Sequence, residues 1–227
     1  MDKVNNPCIA SIFMKNIDQT TVLSQQKVVE KFNPTNITHY PVLSDAPPGY
    51  TMDKLVEMLK GKGHDAIMFL DIDCVPVCAE ALQYMFDEAY AGKIIGDAQR
   101  SNHIENNQHV FAAPHNVTFT IEMYEKLGKP SFLPNYRGDV AEELTFKAEE
   151  ANIPVEIIMP IRFDAPPIRM EWETNAEPFW RLADGMPHYG IGTTFGNEKE
   201  LFWHNYQIFH AGQQQRFLKK CEELLMG

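Results

Sequence analysis

Along the first third of the chain the apolar residues alternate between two rhythms. Residues 8–14 are apolar except for Ser11, and a run this short, closed by Lys15 and Asn16, predicts a buried strand. From 20 to 32, Val22, Leu23, Val28, Val29 and Phe32 recur at helical spacing, with Thr20 or Thr21 as the cap. A second strand over 37–42 leads through the turn-forming Pro47, Pro48 and Gly49 to a helix over about 52–59. The apolar run Ile67, Met68, Phe69 and Leu70 then forms a third strand that ends abruptly at Asp71. Strand, helix, strand, helix, strand predicts right-handed crossovers and a parallel sheet.

Further on, 80–90 predicts a helix with Leu82, Met85, Phe86 and Ala89 inward, followed by a strand over 93–97. The stretch 100–109 is polar and loop-like, and 110–113 and 117–119 are short strands. A helix over 120–127 is closed by Gly128, and the aperiodic 129–139 is a loop. A helix over 140–151 and a strand over 155–161 come next. Residues 162–190, rich in Pro and Trp, predict a long covering loop that orders over a ligand. Residues 201–209 are strand-like, and 213–226 is a closing helix with Phe217, Leu218, Cys221, Leu224 and Leu225 on its inner face. There is no internal repeat and no low-complexity segment.

The 227 residues, 44% of them hydrophobic, are enough to bury a full core in one unit. The four cysteines show no metal-ligand spacing, and the N-terminal residues carry neither a basic nor an apolar leader pattern, which predicts a reducing, cytoplasmic setting. No apolar stretch approaches the roughly 20 residues that span a bilayer. A net charge of -11 argues against a nucleic-acid-binding face, which needs clustered Lys and Arg. An acidic chain that binds phosphates needs a cation to help it.

That requirement bears on Asp71 and Asp73. At the carboxyl end of a parallel strand they lie where such sheets keep their ligands, and residues two apart on extended backbone face one side, toward one divalent cation. The plainer alternative is a polar strand end or a helix N-cap. A second acidic cluster, Asp139, Glu142 and Glu143, opens the helix over 140–151. Asp139 as N-cap with Glu142 three residues later would make a capping box. The functional alternative is a carboxylate facing the cleft, able to act as base, nucleophile or charge stabiliser beside a sugar carbon. On an unbroken strand over 201–209 and just beyond, His204 and His210 share a face, and either could complete a metal site begun by Asp71 and Asp73. The simpler reading of each is a hydrogen-bonded structural histidine.

Taken together, these clusters resemble the GT-A glycosyltransferases, enzymes that move a sugar from a nucleotide-sugar donor to an acceptor. The resemblance rests on the Asp-x-Asp motif in Phe69-Leu70-Asp71-Ile72-Asp73, on the acidic helix from Glu142, on a late histidine, and on their order. It is similar in particular to the small single-domain members known from large algal viruses and bacteria. The resemblance implies an α/β GT-A fold with a mostly parallel central sheet flanked by helices, in a single domain over 1–227. Residues 1–100 would form the nucleotide-sugar-binding half and 101–227 the acceptor half. It implies a manganese or magnesium ion on Asp73, with Asp71 reaching the donor's ribose or sugar, or the metal through water, and with His204 resembling the late ligand more closely than His210. A UDP- or GDP-sugar donor would lie near Met14, Lys15, Asn16 and Asp45, and the acceptor would be a glycan or another molecule. Ala141 stands where many inverting members carry an acid, so the base and the stereochemical outcome stay open.

Two other readings compete. In a haloacid-dehalogenase-like phosphatase, Asp71 of Asp71-Ile72-Asp73-Cys74-Val75 would be the phosphorylated nucleophile, but that motif normally ends the first strand of its domain, and here two strand-helix units precede it. A catalytically silent nucleotide-sugar-binding module of the same fold is the other. A nucleotidyltransferase fits less well, because 14–18 lacks a Gly-rich phosphate loop.

Overall fold

The computed structural model describes residues 5–101, 108–168, 182 and 185–227. Its centre is a six-stranded sheet in the order β2-β1-β3-β6-β5-β7, formed by β1 (Pro7–Phe13), β2 (Thr38–Leu43), β3 (Ala66–Leu70), β5 (Ile94–Arg100), β6 (Val110–Thr120) and β7 (Val155–Ile158). β1 pairs in parallel with β2 and β3, and β5 with β7; only β6, between β3 and β5, runs antiparallel to its neighbours. The fold is therefore mixed α/β with a mostly parallel central sheet flanked by helices. Every residue of β3 is buried, which explains its unbroken apolar run: both of its faces are covered.

Helices α1 (Gln19–Lys31), α2 (Pro48–Gly61) and α3 (Ala81–Tyr90) follow the predicted periods. The cap of α1 is Asp18 rather than Thr20 or Thr21, because its carboxylate accepts the Thr20 N–H at 3.2 Å. Later come α4 (Ile121–Lys126), α5 (Glu142–Glu150) and α6 (Gln213–Met226), the last packed on α1, where Gln214 accepts the Asp18 N–H at 2.9 Å.

A second, antiparallel sheet, β4-β10-β9-β8, was not anticipated as a unit. Its strands are β4 (Cys74–Pro76), β8 (Pro160–Arg162), β9 (Thr193–Gly196) and β10 (Glu200–His204). The expected strand over 155–161 is in fact divided between the two sheets, since β7 pairs with β5 and β8 with β9. The expected strand over 201–209 stops at His204, because Tyr206 (φ 47°) and Gln207 (φ 53°) take left-handed backbone that no strand continues. The two short strands expected at 110–113 and 117–119 are one strand, β6. Between paired residues, β6 spans Ala112 to Val117 while β5 spans only Gly96 to Ala98, so Pro114 sits in a bulge where no ladder N–H is required. Of the covering loop expected over 162–190, residues 169–181, 183 and 184 lie outside the described residues; its stem is tied by a bridge between Ala165 and Ile191.

The loop before α5 is pinned by Phe132, which is fully buried. Its ring stacks on Tyr124 at 5.5 Å and meets Phe69 edge-on at 5.6 Å, contacts worth about 0.5–1.5 kcal/mol each beyond burial. Asp53 of α2 accepts the Phe132 N–H at 3.0 Å, and Gly49 in the first turn of α2 leaves room for the Phe132 carbonyl, which would lie 2.3 Å from any Cβ there. Among the described residues no helix is long and apolar enough to cross a membrane.

Candidate functional site

The carboxyl ends of β1, β2, β3 and β5 open on a cleft of about 540 Å³, within the range of small-molecule sites, whose walls include Met14, Ser44, Asp71, Asp73, Gln99 and Asp139. Asp71 follows directly on β3, and its N–H donates to the His115 carbonyl in the β6 bulge at 2.8 Å. The chain turns at once into β4, and β4 pairs with β10 so that Cys74 faces His204. Asn205 N–H donates to the Asp73 carbonyl at 2.9 Å and holds the two ends together. Residues 131 positions apart thereby meet: His204 Nε2 lies 3.1 Å from Asp73 Oδ1 and 4.0 Å from Asp71 Oδ2.

Among the described residues, Asp71, Asp73 and His204 form the one group able to hold a metal ion, with one ligand atom from each lying within 4.8 Å of the others. Their exposure differs in a useful way. The Asp73 and His204 side chains are 7% and 4% exposed, whereas Asp71 is 47% exposed and faces the open cleft. Burial pushes the Asp73 carboxyl well above the ordinary carboxylate range, and the covered side of Asp71, joined by the charge of Asp73, moves that half-exposed carboxyl in the same direction. Burial lowers His204 to about 3, so its ring is neutral near pH 7 and keeps a lone pair for a ligand. Two carboxylate oxygens and one imidazole nitrogen suit manganese or magnesium, and the exposed side of Asp71 leaves room for further oxygen ligands.

The sequence did not single out what lies behind His204. His115 from the bulge stacks on it at 4.3 Å, and the buried Tyr206 ring sits 3.8 Å from it. Asp97 of β5, wholly buried, lies 3.6 Å from His115 Nε2, and burial raises its carboxyl. The only sequence signal was Pro114-His115-Asn116 interrupting an otherwise apolar stretch. His210 lies beyond β10, in the turn before α6, and is not part of the three-residue group.

The donor-side candidates divide. Met14 lines the cleft, while Lys15 and Asp45 pair with each other at 3.4 Å with exposed side chains, and Asn16 is exposed. The acidic cluster divides too. Asp139 is buried and lines the cleft. Glu142, with no exposed surface, turns back from it and accepts the Asp139 N–H at 2.7 Å, which is one half of the expected capping box. The other half does not form, because Asp139 Oδ1 accepts from Val140 N–H and left-handed Ala141 (φ 65°) stands at the helix start. Glu143 is held by Arg137, whose Nε reaches it at 2.9 Å and whose hydrogen bonds, more than its charge, keep the carboxyl below its usual range.

No family model and no curated protein matches the sequence. Among solved structures the chain is similar to a glycosyltransferase involved in the glycosylation of the major capsid of PBCV-1, with 11% identity over 96% of this chain and 100% of that one and a TM-score of 0.47. It is also similar to a protein of Desulfovibrio desulfuricans G20 provisionally named a nucleotide-diphospho-sugar transferase (11% identity, 98% of both chains, TM-score 0.43). A third is the CMP:2-keto-3-deoxy-manno-octonic acid synthetase complexed with CTP (13% identity, 68% of this chain and 90% of that one, TM-score 0.43). By their names these are a glycosyltransferase, a nucleotide-diphospho-sugar transferase and a synthetase that holds CTP. At these identities and TM-scores the matches carry no chemistry, which rests on the residues of this cleft.

Proposed function

We propose that this protein is a metal-dependent glycosyltransferase of the GT-A kind, moving a sugar from a nucleotide-diphosphate-sugar to a glycan or other acceptor. The observation that carries the reading is the convergence of Asp71, Asp73 and His204 at the strand ends of a cleft large enough for such a donor. Asp73 and His204, rigidly buried, would hold a manganese or magnesium ion, with the more exposed Asp71 beside them. When bound, that ion supplies charge to neutralise the diphosphate of the donor and of the departing nucleoside diphosphate.

The chain's own residues do the rest. The His204 ring is fixed between His115 and Tyr206, so its orientation is already set, and holding a cation through Nε2 would require only that the proton between Nε2 and Asp73 Oδ1 be given up. Met14 and the strand ends around it bound the donor's nucleoside, with Lys15, Asn16 and Asp45 at the rim. Asp139 faces the sugar as base, nucleophile or stabiliser of positive charge at its reacting carbon. The first hundred residues thus serve mainly the donor, and the remainder forms the acceptor and catalytic half, from which His204 reaches back to the metal.

The test is calorimetric titration of UDP and GDP with and without manganese, followed by turnover of a panel of UDP- and GDP-hexoses. Metal-dependent binding with release of nucleoside diphosphate is expected. Phosphate release from monoesters with no nucleoside diphosphate binding would instead make Asp71 a phosphatase nucleophile. Tight donor binding with neither hydrolysis nor transfer would leave a silent binding module.

A further inference from the structure

Behind Asp139 stand a buried carboxyl and a half-buried histidine that the reaction reading leaves without a role. Glu142 has no exposed surface, yet both of its oxygens are engaged: Oε2 takes the Asp139 N–H at 2.7 Å, and Oε1 lies 2.6 Å from His109 Nδ1. A Cβ on Gly138 would come within 3.1 Å of the Glu142 side chain, so the loop lies directly on that carboxylate. His109 enters from the start of β6 and is fixed from several sides. Its ring stacks on Phe146 at 4.1 Å, Arg137 lies 4.6 Å from the centre of the Phe146 ring, and the His109 Nε2 reaches Glu149 at 3.2 Å. A polar group this deeply buried is costly unless it is hydrogen-bonded, so Glu142 depends on both of its partners staying in place.

We infer that Glu142, supported by His109, is a positioning residue that sets the backbone at Asp139 and so aims its carboxylate into the cleft. This rests on the reading of Asp139 as the acid that faces the sugar. The chain of contact is backbone N–H to carboxylate to imidazole, and no member except Asp139 lines the cleft. Displacing a reacting group by about 1 Å costs roughly a hundredfold in rate, whereas a nucleotide bound at the other strand ends does not sense it.

The experiment separates kcat from donor affinity. Release of nucleoside diphosphate from UDP- and GDP-hexoses is measured for Glu142→Ala, Glu142→Gln, His109→Phe, His109→Asn and Asp139→Asn, alongside manganese-dependent affinity for UDP and GDP. Glu142→Ala and His109→Phe, the latter keeping the ring stack but losing the donor, are expected to lower kcat at least tenfold with affinity changed less than twofold. Glu142→Gln, whose amide oxygen still accepts the Asp139 N–H, and His109→Asn, whose amide nitrogen stands in for Nδ1, are expected to restore kcat to within about threefold of the unaltered protein. Affinity falling in step with kcat, or no loss in His109→Phe while Asp139→Asn is inactive, would overturn the inference alone. Full activity of Asp139→Asn would overturn the role of Asp139 and the inference with it.

Discussion

Replacing Asp73 with Asn should make the metal-free protein more stable while removing its response to metal. The oxygens that Asp71 and Asp73 offer lie within 4.8 Å of each other. At an effective dielectric of about 20, unit charges that far apart repel by about 3 kcal/mol. Asp71 is 47% exposed, so solvent screens a good part of this and about 1–2 kcal/mol remains. Asn keeps the shape, and its amide oxygen still accepts a hydrogen bond from His204. For a domain of this size about 1–2 kcal/mol raises Tm by roughly 2–8 °C. The sign depends on pH. Burial raises both folded-state carboxyls above their unfolded values, joined for Asp71 by the charge of Asp73, so this strain is absent below the unfolded range and grows as pH rises through the folded one. Scanning calorimetry at pH 8 should therefore show the variant ahead, with the gap closing on acidification toward pH 4. Manganese at a hundred times its Kd should stabilise the unaltered protein by about 2.7 kcal/mol and the variant hardly at all. A metal-free Asp73→Asn protein that melts lower at pH 8, or one that keeps the manganese shift, would refute the reasoning.

Two further outcomes are expected. His204→Ala should weaken manganese-dependent UDP or GDP affinity by tenfold or more and His210→Ala by less than threefold, since His204 alone reaches the two aspartates; calorimetry giving the reverse order would move the site. His39, whose Nε2 lies 2.9 Å from Ser11 Oγ, is lowered by burial to about 4, so acid destabilises the fold as pH drops from about 6.5 toward that value. His39→Gln should remove about 1–2 kcal/mol of that loss, after allowance for its partial exposure, read from urea unfolding at pH 7 and pH 4.5.

Much of the fold could be read one element at a time. The continuous apolar run before Asp71 is a strand buried on both faces, and the spacing of Leu82, Met85, Phe86 and Ala89 is the inner face of α3. These signals are local, set by a period of two or 3.6 residues along the backbone. The reversed direction of β6 was not legible, because an apolar strand pattern reads the same either way. Nor was the end of β10, since nothing at Tyr206 or Gln207 announces left-handed backbone as a glycine would. The roles within 139–143 were equally hidden: three acids in five residues look alike in sequence, and only packing turns Asp139 to the cleft, Glu142 inward and Glu143 to Arg137.

By itself, then, the sequence determined that a buried strand would end at Asp71, because a short apolar run closed by a carboxylate is a local signal; Asp73 comes beside Asp71 not through a period of two but because the chain turns there, with the Cys74 N–H donating to the Asp71 carbonyl at 2.9 Å. Tertiary structure alone decided that His204 joins them, since the pairing of β4 with β10 closes a separation of 131 residues that no local pattern encodes. Tertiary structure likewise gave the site its electrostatics, because the strain on the two carboxyls and the neutrality of the imidazole come from burial, which depends on everything packed around them.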